Sequence, residues 1–372
     1  MKKILSPVVQ YPFDAQTDSF FCAISSALLP ALGYDENTPF YCAPHGRYCT
    51  ECGGCRKNAM QRHHLMLYHC LLAATGVAFG FDYPEDDTVR QHSMPGAVQG
   101  WRWSDDFVGF IMGLCGLDYL RISSSDDKSS AMLEIKRAID AGYPVPARFG
   151  VKSQFGEDTA WSVITGYDGD KLLGLDSKSH YLSGAAEYDG DLFMLGDLGT
   201  RLSDAVIITG VKEKRYGMRQ VLEKISGVLS APAREEFKKE VNELIDASDE
   251  SNAEKNAELL CAITGVPAEA RWHAAEAFCS KDNFLTSLSE GETLQRGLSK
   301  VFFERYIKDN NDETHGLCWK LWSLLGGPNK SADAGARLLR PETKSHLKRM
   351  WAKIFENDEA VLAEIKELLA SK

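Results

Sequence analysis

Cys22 heads the apolar run Ala23-Ile24-Ser25-Ser26-Ala27-Leu28-Leu29, and Gln16 stands six residues before it. A thiol in the first turn of a buried helix meets the positive end of the helix dipole and N–H groups without intrahelical partners. Both favour the thiolate. A thiolate so placed attacks acyl carbonyls, which makes Cys22 the candidate nucleophile. Across a short loop, the side-chain NH₂ of Gln16 can face the same point as the backbone N–H of Cys22, giving a two-donor oxyanion hole.

A second set of thiols lies in Tyr41-Cys42-Ala43-Pro44-His45-Gly46-Arg47-Tyr48-Cys49-Thr50-Glu51-Cys52-Gly53-Gly54-Cys55. The glycines, the proline and the lack of periodicity make residues 41–56 a Cys-rich loop. Cys42, Cys49, Cys52 and Cys55 follow the spacing Cys-x6-Cys-x2-Cys-x2-Cys. Short Cys-x2-Cys turns let two thiolates bind one ion with little strain, and Zn²⁺ takes four such ligands tetrahedrally. His45 is the alternative to Cys42 as the fourth ligand. A Cys-x2-Cys-x2-Cys run also holds iron–sulfur clusters, so zinc, a cluster and a metal-free loop all fit the pattern. A bound zinc would be structural, since four closed ligands leave no position for substrate.

The head of the Cys22 helix resembles the start of papain-like cysteine peptidases, where Gln-x5-Cys opens a hydrophobic helix near the amino terminus. That superfamily includes the compact bacterial branch that trims bacteriocin leader peptides. Further along, Ile135-Lys136-Arg137-Ala138-Ile139-Asp140-Ala141-Gly142-Tyr143-Pro144-Val145 precedes Trp161-Ser162-Val163-Ile164-Thr165-Gly166-Tyr167-Asp168. This is similar to the branch's helix ending in Gly-x-Pro-Val and strand ending in Thr-Gly-Tyr-Asp. The resemblance puts the catalytic His at the start of that strand, at Ala160 or Trp161, and neither is a His. Its third residue, an Asp or Asn on the next strand, matches Asp176. His180 stands four residues beyond and is the candidate base of a rearranged site. The amino-terminal domain of the butirosin-type acyltransferases is also similar, and it implies acyl transfer rather than peptide cleavage.

Ile4 to Val9 reads as a lead-in strand, and Gly33 closes the Cys22 helix. Gln61 to Thr75 reads as a helix carrying His63, His64 and His69, any of which could supply a metal ligand or the missing base. His92 is a further candidate base, and Trp101 and Trp103 are candidates to line a cleft. Ser104 caps a helix through Cys115, Leu117 to Ile122 is a strand, and Ser129 to Ala141 is a helix. Strands follow at Val145 to Val151, Trp161 to Tyr167, Lys171 to Asp176, Leu192 to Leu195 and Asp204 to Thr209, with a hairpin turn at Gly169-Asp170. Beyond Val211 the pattern is helical. Gly265-Val266-Pro267 and Gly326-Gly327-Pro328 separate helices, and Pro341 to Phe355 and Asp358 to Leu369 read as two.

The expected fold is therefore α+β in residues 1–212, which the resemblance makes a papain-like domain with a Cys-led helix packed on an antiparallel sheet. An all-α helical domain follows in residues 213–372. In the latter, Arg271, Trp272, His273, Arg305, Tyr306, Trp319 and Trp322 could hold a ligand, and the bundle could act as a lid or as the interface of a homodimer. Cys70, Cys115, Cys261, Cys279 and Cys318 sit among apolar neighbours and read as core residues.

Composition sets the outer bounds. The 372 residues carry a net charge of −11, which argues against a nucleic-acid surface because phosphate binding needs a basic stripe. Apolar stretches are much shorter than the ~20 residues needed to cross a bilayer, and no signal-peptide core follows Met1, so the expected location is the cytoplasm. The expected function is a thiol-dependent hydrolase or acyltransferase acting through Cys22 on a small-molecule, peptide or acyl-thioester substrate. The alternative is a catalytically inactive papain-like protein serving as a metal-bearing binding or partner-interaction module.

Overall fold

The computed structural model describes residues 2–5, 8, 19–35, 37–38, 40–42, 47–49, 53–80, 105–153, 156–176, 187–189, 192–195, 202–308, 323–325 and 332–371. These residues form a mixed helix-and-sheet chain in which the strands pair antiparallel, in keeping with the α+β expectation. Two compact units are present: Met1–Leu71 with Val108–Arg215, and Leu72–Phe107 with Tyr216–Lys372.

The first unit is built on one sheet. Its strands are β1 Lys2–Ile4, β4 Leu117–Ser123, β5 Val145–Ser153, β6 Gly156–Asp168, β7 Lys171–Asp176, β8 Glu187–Asp189, β9 Leu192–Leu195 and β10 Leu202–Val211. The order is β4-β10-β5-β6-β7-β9-β8. β5 begins with Val145 opposite Ile164, and beyond that point β1 pairs with Gly166 to Asp168 of β6. β2 Phe40–Cys42 and β3 Arg47–Cys49 form a separate two-stranded hairpin. The helices are α1 Ser19–Ala31, α2 Gly53–Ala74, α3 Asp105–Cys115 and α4 Lys128–Asp140; the last residues of α2 and the first of α3 belong to the second unit.

Side-chain alternation divides the sheet into two faces. On one, Ala131, Ile135, Ala138 and Ile139 of α4 recur at helical spacing and pack with Val145, Ala147, Phe149, Ile164, Phe193, Ala205 and Ile207. Asp127 caps α4 by accepting the N–H of Ser130 at 2.8 Å. On the other face lies α1, where the ring of Phe20 meets Trp161 edge-on at 5.0 Å. The Gly-Tyr-Asp segment has a structural explanation. A Cβ on Gly166 would come within 2.3 Å of the Lys3 carbonyl, so only glycine admits β1 here. Tyr167 joins the core and donates its hydroxyl to Asp140 Oδ1 at 2.9 Å. The β6–β7 turn is the expected one: Asp168 pairs with Lys171, and Gly169 takes a φ of 59°.

The second unit is helical. After the end of α2 and a 3₁₀ turn at Val77–Phe79 come α5 Met218–Leu229, α6 Ala233–Asp246, α7 Ala253–Cys279 and α8 Gly291–Phe302. A π turn at Phe303–Lys308, α9 Ala334–Leu338 and α10 Pro341–Ala370 complete it. Phe237, Val241, Ile245, Leu260, Ile263, Leu347, Trp351 and Ile354 form one of its cores.

Three sequence expectations are corrected. The break at Gly265-Val266-Pro267 is absent, because α7 runs through it for 27 residues. A mid-helix proline costs about 3 kcal/mol, and buried residues on both sides, Ile263 before it and Ala274 after it, hold the helix together. The break between Phe355 and Asp358 is also absent. Asn357 donates its Nδ2 to the Arg305 carbonyl at 2.9 Å and Asp358 binds arginines from other helices, so both polar residues are held by partners outside α10. Finally, residues 41–56 are not all loop, since they contain β2, β3 and the start of α2. Among the described residues, no helix is long and apolar enough to cross a membrane.

Candidate functional site

α1 is buried from Phe20 through Leu29, Ser25 and Ser26 included. It ends in a Schellman motif: Gly33 takes a φ of 81°, its N–H bonds the Pro30 carbonyl, and Tyr34 N–H bonds the Leu29 carbonyl. Its first residue, Ser19, accepts the backbone N–H of Trp161 on its hydroxyl at 3.2 Å. Ser19 and Phe20 thus dock the head of the helix on the part of β6 where the family resemblance expects a base. The indole of Trp161 is 1% exposed.

Cys22 is the fourth residue of α1, with a relative exposure of 0%. Its carbonyl accepts two side chains, Ser26 Oγ at 3.0 Å and His64 Nε2 at 2.9 Å. A carbonyl can only accept, so Nε2 of His64 carries the proton and Nδ1 is the basic nitrogen of the neutral ring. His64 is itself fully buried. Desolvation lowers its pKa from the ordinary 6.5 to about 4, partly opposed by the bond to Cys22, so the ring is neutral at pH 7. Next to it, His63 packs on Tyr34 at 4.9 Å and lies 3.2 Å from the Thr38 carbonyl, and burial lowers its pKa as well.

Of the residues expected to act with Cys22, Gln16, His180 and His92 lie outside the described residues. Asp176 is placed by its backbone alone, opposite Ser162. His64, one of the three α2 histidines weighed as a base, is brought to Cys22, whereas His63 is bonded elsewhere. Sequence reasoning missed Ser19 as a docking group; its signal was a hydroxyl at the head of an apolar run.

Of the expected metal ligands, Cys52 and His45 lie outside the described residues. Cys42, Cys49 and Cys55 are placed by backbone. Cys42 pairs with Arg47 and Cys49 with Phe40, and Cys55 is the third residue of α2. Among the described residues, no group of three or more His, Cys, Asp or Glu could hold a metal ion. Cys70, Cys115 and Cys261 are buried and Cys279 is partly buried, while Cys318 lies outside the described residues. Burial pushes the Cys115 thiol up to about 12, which makes it an inert core group.

Of the ligand-holding set expected in the helical region, Arg271 and Tyr306 are engaged within the fold. Asp358 Oδ1 accepts Arg271 Nε at 2.8 Å and the Tyr306 hydroxyl at 2.5 Å, and Oδ2 accepts Arg271 Nη2 at 2.7 Å and Arg234 Nη1 at 2.9 Å. Arg271 also donates to the Phe79 carbonyl at 3.2 Å. Burial by itself raises the Asp358 carboxyl, but the two guanidiniums outweigh it and the net pKa is lowered. Desolvation, then Asp358, holds Tyr306 well above its ordinary value, so it stays a neutral donor. Trp319 and Trp322, like Trp101 and Trp103, lie outside the described residues.

Compared with known proteins, the chain matches no family model, no curated protein and no solved structure.

Proposed function

We propose that this chain is a cytoplasmic papain-like protein without thiol catalysis, serving as a binding or partner-interaction module. The observation that carries the proposal is the burial of Cys22. With an exposure of 0%, its thiol offers no surface to an acyl group. The papain-like part is supported by the docking of the α1 head on Trp161 through Ser19 and Phe20. At that strand position an indole takes the place of a base, and it accepts no proton.

The test is the alkylation rate of each cysteine in the native protein against pH, read by peptide mapping. Cys22 is expected to stay unlabelled until denaturant is added, even where an ordinary thiol of pKa about 8.5 reacts freely. Rapid native labelling of Cys22 below about pH 7 would overturn the proposal, because it requires an accessible, stabilised thiolate.

The competing reading is acyl transfer or hydrolysis through Cys22, for which the His64 imidazole would have to exchange its 2.9 Å bond to the Cys22 carbonyl for one to the thiol. Gln16 would then be the oxyanion donor, and Asp176 and His180 would complete the site. Thioesters are the favoured substrates, since a thiolate leaves with less help from a general acid than an amine does. Cys22→Ser separates the readings, since an enzyme loses turnover and a binding module keeps its affinity for its ligand.

A further inference from the structure

We propose that the outer edge of β4 is a self-association surface, at which two copies of this chain pair antiparallel about Leu120 and join their sheets. The inference concerns the sheet edge alone and holds whether or not Cys22 is reactive.

The topology supplies the first part of the argument. β4 ends the strand order, and among the described residues it pairs on one side only, with β10. A strand so placed presents a row of main-chain N–H and C=O groups that a further strand can bond. Its seven residues, Leu117-Asp118-Tyr119-Leu120-Arg121-Ile122-Ser123, include neither proline nor lysine, the common guards of a sheet edge.

Leu120 supplies the second part. It pairs opposite Ile207, as Ile122 pairs opposite Ala205, and Ile122, Ala205 and Ile207 all belong to the core that α4 shares with the sheet. Leu120 therefore lies on the face of that core, at the last strand, and is 41% exposed. A strand laid against β4 covers this side chain and extends the core outward.

Charge selects the occupant. Both charges of β4 are held by its own chain. Arg121 makes a bidentate pair with Asp204 of β10, Nε to Oδ1 at 3.0 Å and Nη2 to Oδ2 at 2.6 Å, and Asp118 accepts the Lys212 ammonium. A two-fold antiparallel pairing keeps each face of the sheet on its own side, so it is centred on a single residue. Centres at Asp118 or Arg121 set like charges directly opposite, which is destabilising, and centres at Tyr119 or Ile122 shorten the ladder. The centre at Leu120 uses all seven residues. Leu120 then meets its own copy, Asp118 stands opposite Ile122, and Tyr119 stands opposite Arg121 on both sides, where ring and guanidinium attract. The strand complements itself, which favours a second copy over an unrelated partner.

The experiment is sedimentation velocity on the full chain across a dilution series, with Leu120→Lys as the variant. The expected result is a dimer that dissociates on dilution. Leu120→Lys, at an exposed position, should raise its dissociation constant roughly tenfold or more, because two ammonium groups then face each other. Register is read by mild oxidation and peptide mapping. Leu120→Cys should yield a disulfide between the two copies at position 120, since directly opposite residues lie about 5 Å apart. Asp118→Cys should not, because its two copies sit about 13 Å apart along the strands. A chain that stays monomeric overturns the proposal and leaves the edge to a strand from another protein. A dimer indifferent to Leu120→Lys, or one that cross-links as readily at 118 as at 120, overturns it as well. Should Leu120→Lys fail to fold, the dilution series on the unaltered chain and the Leu120→Cys cross-link decide the matter.

Discussion

In the sheet unit His64 is buried as a neutral ring on the Cys22 carbonyl, whereas in the helical unit Asp358 is buried as an ion between Arg271 and Arg234. Both side chains have an exposure of 0%. Desolvation acts on both in the same sense, against the charged form. The outcome differs because of the partners. A backbone carbonyl offers His64 one hydrogen bond and no charge, so the ring discharges, while two guanidiniums and a tyrosine hydroxyl hold Asp358 ionised. A buried neutral imidazole with a pKa of about 4 is a poor base for a thiol at pH 7, which is consistent with a Cys22 helix that serves as core. The buried ions, in turn, tie α6, α7, the π turn and α10 to one carboxylate and leave Arg271 and Tyr306 engaged within the fold.

The largest effect that would break this comparison is expected from Asp358→Ala. Removing the carboxylate leaves two guanidiniums buried without it, and a loss of ~3–5 kcal/mol in denaturant unfolding of the helical unit is expected. A loss below ~1 kcal/mol would mean the arginines relax to water, and the contrast with His64 would fail.

Acid sharpens the comparison, because the two groups act in different windows. Above pH 6.5 His64 is neutral whether folded or unfolded. Between 6.5 and about 4 only the unfolded chain takes the proton, so stability falls as pH falls, and it levels out below about 4. The full loss is about 3 kcal/mol, because protonating the buried ring takes about 1.4 kcal/mol for each tenfold loss of proton affinity between the ordinary 6.5 and about 4. His273 adds a similar decline in the helical unit, with its pKa lowered by desolvation to about 3. The lowered Asp358 carboxyl contributes stability that is present above its ordinary 3.8 and is lost only at lower pH. Hydrogen exchange read by segment should therefore show α1 and α2 loosening as the pH falls from 6.5 towards 4, and His64→Gln should flatten that slope. An unchanged slope in the variant would assign the acid response to other groups.

A smaller loss, ~1–3 kcal/mol, is expected from Gly166→Ala, because the new methyl meets the Lys3 carbonyl and must push β1 off the sheet. Thermal unfolding checks it. Tyr167→Phe should cost ~1 kcal/mol, the worth of one partly exposed hydrogen bond to Asp140. A Gly166→Ala cost below ~0.5 kcal/mol would mean the glycine is not there to admit β1.

Much of the sheet unit was legible because its signals are local. The apolar positions of α4, the Gly169-Asp170 turn and the glycine that ends α1 depend on neighbours a few residues away. The two helices expected to break and found continuous failed for the opposite reason. Pro267 and the Asn357-Asp358 pair carry local breaking signals, and packing from distant helices overrides them. At the candidate site, sequence singled out Cys22 and included His64 among three histidines, but it could not tell that His64 reaches the Cys22 carbonyl.

By itself the sequence determined which residues can do chemistry and how they are spaced: a thiol at the head of an apolar helix, four cysteines close together, and a strand start that carries tryptophan instead of histidine. Spacing within one element is a covalent fact. Tertiary structure alone decided that Cys22 is closed to solvent, that His64, 42 residues away, discharges against its carbonyl, and that Trp161, 142 residues from Ser19, receives the helix head. It alone brought Arg234, Arg271 and Tyr306 to Asp358 across 124, 87 and 52 residues. Burial and charge pairing depend on what the fold places alongside, and the linear order of residues does not contain that information.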